Sequence, residues 1–147
     1  MILNGILSDL QNDFDFDLSI EAAGAILTNR DTRAHMEIYD ESYASSDDGV
    51  IVPRYTVSFA GQHRHFEDLT QTKRYVERIM KDEILPITFF LREESRFGGE
   101  ISQTEAAALT KERLSARFGY APEDLTGYAY EIRSWSGRFD TGRLKTE

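Results

Sequence analysis

Apolar positions fall into a few clear periods along the chain. Leu3, Ile6, Leu7 and Leu10 recur at helical spacing, after which Asp13-Phe14-Asp15-Phe16-Asp17 alternates strictly and predicts a short strand or extended turn. Ser19 stands where it would cap a short helix through Leu27, with Gly24 weakening its interior by about 1 kcal/mol relative to Ala. Ala34–Tyr39 and Val50–Phe59 are rich in β-branched and aromatic residues, and Ser45-Ser46-Asp47-Asp48-Gly49 between them is turn chemistry, so the two predict a hairpin. Ala60-Gly61-Gln62 then turns the chain into a third antiparallel strand, His63–Phe66, and Pro53 marks a strand start, edge or bulge.

The clearest helix starts at Asp68, with Gln71 completing a capping box. Its stripe is Leu69, Thr72, Tyr75, Val76, Ile79 and Met80, and Pro86 stops it near Ile84. Ile87–Leu91 suits a buried strand, and Phe97-Gly98-Gly99 breaks it from a helix with a capping box in Ser102 and Glu105. That helix is expected to run through Ala106, Leu109 and Leu114 to Phe118-Gly119. Tyr128, Tyr130 and Ile132 alternate as a last strand, and the polar tail 137–147 reads as loose. The order predicts one α+β domain over 1–147, with an antiparallel or mixed sheet of about five strands and helices mainly on one face.

Composition changes this picture in two ways. The chain of 147 residues has no cysteine, which excludes disulfides, thiolate zinc sites and thiol nucleophiles and suits a reducing compartment. With no signal-like N-terminus and no apolar run of about 18 residues, a cytoplasmic chain without a membrane segment is expected. The net charge of −9 is uneven. Residues 1–49 carry 11 acids against 2 bases, residues 50–81 carry 3 acids against 6 bases, and residues 82–147 carry 12 acids against 9 bases.

The acidic third supplies the first candidate surface. Asp13, Asp15 and Asp17 form a row at period two, which spaces carboxylates about 6.6–6.8 Å apart on one face of a strand. Asp40, Glu41, Asp47 and Asp48 reinforce it. A calcium loop is ruled out by Leu18 and Gly24, which stand where glycine and a bidentate glutamate are required. Trp135, next to the tail, is the expected single anchor for a partner, with Tyr128 and Tyr130 turned to the core.

The basic segment 50–81 supplies the second, through Arg54, Arg64, Lys73, Arg74 and Arg78. Its pattern Tyr55-x-Val57-x-Phe59, a glycine turn, Phe66 and the helical Lys73-Arg74-Tyr75-Val76 resembles the arm-type DNA-binding domains of tyrosine integrases, where a three-stranded sheet enters the major groove. The likeness spans only Val50 to Lys81, and the chain departs from that family in its acidity elsewhere and in having no following catalytic domain, so no membership is assigned.

His63 and His65 share one side of a strand, as metal sites require when His35 or Glu37 of a neighbouring strand completes the set. Two surface histidines beside a turn explain the pair without a metal, and no cofactor is expected. No nucleophile elbow, phosphate loop or carboxylate pair stands out. Ser42, Ser45, Ser46 and Ser95 lack the needed context, and Glu93, Glu94 and Glu100 read as solvated acids near a strand end. The expected function is therefore a non-enzymatic module whose acidic face docks a basic protein. Its concrete form is an inhibitor of a nucleic-acid-handling protein, of the kind phages and mobile elements direct against restriction or CRISPR defences. Nucleic-acid binding through 50–81 is the alternative, and an enzyme of unrecognised type is a third.

Overall fold

The computed structural model describes residues 2–90, 96–125, 129–137 and 139–143. The first apolar stripe forms α1 (Asn4–Asp13), which buries Ile6, Leu7 and Leu10, with Leu3 fully buried just ahead of it. No helix follows Ser19. Instead β1 (Phe16–Ile20) and β2 (Gly24–Asn29) make an antiparallel hairpin with Leu18 opposite Leu27. The decisive period is two, because Ala25 and Leu27 are fully buried while Ile26 between them and Thr28 after them are not. Gly24 is a site of close approach rather than a weak helix position: a Cβ there would stand 2.2 Å from the Ile38 carbonyl oxygen.

β3 (His35–Asp40) pairs with β2 on one side and, on the other, with β6 (Tyr55–Phe59), which pairs in turn with β7 (Gln62–Phe66). The order is β1-β2-β3-β6-β7, antiparallel throughout. Ala60 and Gly61 both have positive φ, 50° and 83°, as a two-residue hairpin turn between β6 and β7 requires. Between β3 and β6 the expected turn at 45–49 closes a small ribbon of β4 (Tyr43–Ala44) and β5 (Ile51–Val52), and Pro53 sits at its junction with the sheet.

α2 (Leu69–Met80) starts where Asp68 accepts a hydrogen bond from the Gln71 backbone N–H at 3.0 Å. It buries Thr72, Tyr75, Val76, Ile79 and Met80 in one core with α1 and the inward side chains of β1, β2, β3 and β6. Both helices cover the same face of the five-stranded sheet, so the α+β class stands.

A second sheet goes beyond the sequence-based expectation. β8 (Leu85–Phe90), β9 (Arg96–Ile101), β10 (Ala129–Arg133) and β11 (Phe139–Arg143) form it in the order β11-β10-β8-β9, again antiparallel. Pro86 lies in β8 opposite Glu100, ahead of the stretch Ile87–Phe89 that pairs with β10, where a missing N–H costs nothing on that side. Gly98 and Gly99, expected to break the chain, are strand residues, and a Cβ on either would collide with Gln62 or with the Phe118 ring. The expected single helix is split into α3 (Gln103–Ala107) and α4 (Lys111–Phe118). The Ser102–Glu105 capping box opens the first, and Thr110 starts the second by accepting from the Arg113 N–H. Within the tail, β11 pairs along the outer edge of β10; Leu91, Glu93, Glu94, Ser95, Tyr128, residue 138 and residues 144–147 lie outside the described residues.

Trp135 follows β10 in sequence but belongs to the first core. It is 4% exposed and meets Phe59 edge-on with ring centroids 6.2 Å apart. Asn29 Nδ2 and Thr32 Oγ1 donate to its carbonyl at 2.8 and 3.0 Å. The expected exposed anchor is thus a buried clamp between the sheets, since the chain leaving β10 is drawn inward by these contacts. Replacing Trp135 by Ala is expected to lower the unfolding free energy by about 3–5 kcal/mol, against less than about 0.5 kcal/mol for Tyr43→Ala. Urea titration of both variants checks this, and equal losses would contradict the assignment.

Candidate functional site

The ribbon between β3 and β6 is the most exposed apolar feature of the described residues. Tyr43, Val50 and Ile51 are 54%, 59% and 62% exposed. Because Tyr43 faces Val52 and Ala44 faces Ile51 across the ribbon, the exposed side chains project from both of its faces. A two-stranded ribbon buries too little to be stable alone; this one continues from the β3–β6 pair and carries hydrogen bonds along its length. At the tip, Ser45 N–H donates to Val50 O at 2.8 Å, Gly49 N–H to Ser45 O at 3.0 Å, and Val50 N–H to Asp48 Oδ1 at 3.0 Å. At the base, Glu41 N–H donates to Arg54 O, Ser42 N–H to Asp40 Oδ1, and Arg54 N–H to Ser42 Oγ.

A side-chain network extends the base onto the sheet. Thr56 Oγ1 lies 2.9 Å from Glu41 Oε2 and 2.8 Å from His65 Nδ1, and Arg54 Nη2 lies 3.1 Å from His65 Nε2. One arrangement satisfies all three contacts: the Thr56 hydroxyl donates to Glu41, His65 Nδ1–H donates to Thr56, and Arg54 donates to the other ring nitrogen. Arg54 is thereby committed to the ribbon base, together with a 3.9 Å ion pair to Glu41.

The acidic residues divide into two groups. Asp40, Glu41, Asp47 and Asp48 all lie on or beside the ribbon that carries Tyr43, Val50 and Ile51. Asp15 and Asp17 do not form a bare row, because Arg30 at the end of β2 meets them at 2.6 and 2.7 Å. This pairing was invisible in the sequence, as it depends on β2 running back along β1. Asp13 stays exposed at the end of α1.

His63 and His65 share the open face of β7, with ring centroids 5.4 Å apart. β6 separates them from β3: Ser58 stands between His63 and Glu37 in register, and among the described residues no three His, Asp or Glu side chains gather as metal ligands.

The basic residues are also divided. Lys73 turns towards α1, pairing with Asp9 at 3.6 Å and with Glu77 at 3.9 Å. Arg64 of β7 and Arg74 and Arg78 of α2 line one cleft of about 400 Å³, joined by Gln71 and Tyr75, which the sequence had not singled out as site residues. The Arg64 guanidinium lies over the rings of Phe66 and Tyr75 and pairs with Glu100 at 3.5 Å. Tyr75 donates its hydroxyl to the other oxygen of Glu100. Glu100 is thus a structural acid rather than a solvated one, spanning from the second sheet to the first.

No protein-family model, curated protein or solved structure matches the chain.

Burial, and then the bond to Glu100, push the Tyr75 phenol well above its ordinary value of 10.0. Because the folded chain keeps a proton that the unfolded chain sheds, this contribution to stability is complete below about pH 10 and declines as the pH rises past it. Tyr75→Phe is expected to flatten the fall in stability above that pH. Thermal melts of both proteins between pH 8 and 11 check it, and parallel declines would contradict it.

Proposed function

We propose that this protein is a small acidic binding module that docks its 41–54 ribbon on a basic partner protein. The observation that carries the reading is the combination on one projection of three large apolar side chains, each more than half exposed, with Asp40, Glu41, Asp47 and Asp48. Apolar anchors surrounded by charge are how protein interfaces are built: the anchors hold the partner and the rim selects it and speeds encounter. The net charge of −9 adds long-range attraction to a basic surface. Because the ribbon is shaped by its own backbone bonds, docking loses little ordering entropy.

The most concrete form is an inhibitor of a nucleic-acid-handling protein. Asp47 and Asp48 at the tip would occupy positions in a basic groove that phosphates otherwise take, and Tyr43 and Ile51 would fill apolar ground beside it. The support for this form is charge and shape at the ribbon; the Asp13–Asp17 row contributes less, since Arg30 offsets it.

Two double variants of the tagged full chain test the reading, Tyr43→Ala/Ile51→Ala and Asp47→Asn/Asp48→Asn, each compared with the wild type in capture of proteins from lysate. The first is expected to lose a basic partner at any salt concentration. The second is expected to keep it at equilibrium but to bind it more slowly and with a weaker dependence on salt. Capture that neither variant alters, or capture of an acidic protein, would overturn the proposal.

A further inference from the structure

The cleft between β7 and α2 has a chemistry opposite to that of the chain around it. In a protein of net charge −9, three arginines from two separate elements converge on about 400 Å³, and none of the described residues lining it is acidic. Arg74 and Arg78 stand four residues apart on one helix face, an arrangement that disfavours the helix unless something offsets the repulsion. Arg78 has partial relief from Glu83 at 3.7 Å, outside the cleft, whereas Arg74 has no ion pair among the described residues.

Arg64 is held in place before any ligand arrives. The rings of Phe66 and Tyr75 lie 5.5 and 5.1 Å from its guanidinium carbon, and one Glu100 oxygen pairs with it at 3.5 Å. A guanidinium has five donors in a planar fork, so one carboxylate contact leaves donors for a second oxyanion. Gln71, exposed one helical turn before Arg74, adds an amide donor at the mouth.

We infer that Arg64, Arg74, Arg78 and Gln71 form a binding site for a small phosphorylated ligand carrying one or two phosphate groups. Arginine suits phosphate because its planar fork meets two oxygens at once. Size and charge favour a small ligand over a nucleic-acid strand. The volume is in the range of small-molecule sites, and Lys73 does not extend the arginines into a track, since it pairs instead with Asp9 and Glu77. A polyanion would also meet the repulsion of the acidic remainder, which a single phosphate group feels far less. The site does not rest on the docking proposal.

Isothermal titration of the full chain with pyrophosphate, beside a single-stranded oligonucleotide, tests the inference. Pyrophosphate is expected to bind and to bind at least about tenfold more weakly to Arg74→Gln, whose exposed side chain can change without loss of melting temperature. Lys73→Gln is expected to leave the affinity unchanged. Pyrophosphate binding that Arg74→Gln does not weaken would overturn the site. So would an oligonucleotide that binds where pyrophosphate does not, since that outcome belongs to a nucleic-acid surface, and so would the absence of binding to either probe.

Discussion

A five-stranded antiparallel sheet must cover its apolar face, and here α1 and α2 do so on one side only. Leu27, Met36, Ile38 and Val57 are fully buried beneath them, while Glu37, Ser58, His63 and His65 occupy the opposite face. Beyond Asp40 and before Tyr55 the hairpin continues as the β4–β5 ribbon, which carries the exposed Tyr43, Val50 and Ile51. Apolar side chains on a projection that folding does not use are a sign of a contact surface. The proposed contact role of the ribbon rests on that exposure.

The second sheet shapes the cleft by a different route. Glu100 reaches from β9 to Tyr75 and Arg64, and Trp135 returns from β10 to Phe59, so two contacts far apart in sequence hold the two cores together. Gly98 in β9 makes the approach possible, because Gln62 of β7 occupies the space a side chain would need, while Gly99 makes room for the Phe118 ring within the second core. The fold's joint and the orientation of Arg64 are therefore the same interaction. A substitution at Glu100 would disturb both, which is why Arg74, exposed and outside the joint, is the more informative residue in the cleft.

Local rules made much of the fold legible. The stripe of α2, the Asp68 cap, the Ala60-Gly61 turn and the Ser45–Gly49 turn each depend on residues within a few positions of one another, and each lies where the pattern puts it. β2 was not legible, because Ala-Ala-Gly-Ala is compatible with a helix and the contact that decides otherwise is with Ile38 on another strand. Trp135 beside a polar tail reads as a surface residue until the partners Asn29 and Thr32, more than a hundred residues earlier, are brought to it. The candidate surfaces show the same division. Acidity around Asp47 and Asp48 was evident, as was the basic character of 50–81, but Arg30 offsetting Asp15 and Asp17, and α2 turning Lys73 away from Arg74, follow only from three-dimensional packing.

On the proposed reading the ribbon carries its exposed apolar side chains for contact and not for folding. Its most direct test is the unfolding free energy of a chain in which residues 42–53 are replaced by Asn-Gly, a two-residue turn suited to close the hairpin at Glu41 and Arg54, whose backbones already pair. The account predicts a value within about 1 kcal/mol of the full chain, as expected when no core residue is removed. A loss of about 3 kcal/mol or more, the scale of removing a large core side chain, would show that the ribbon serves the fold and would contradict the account.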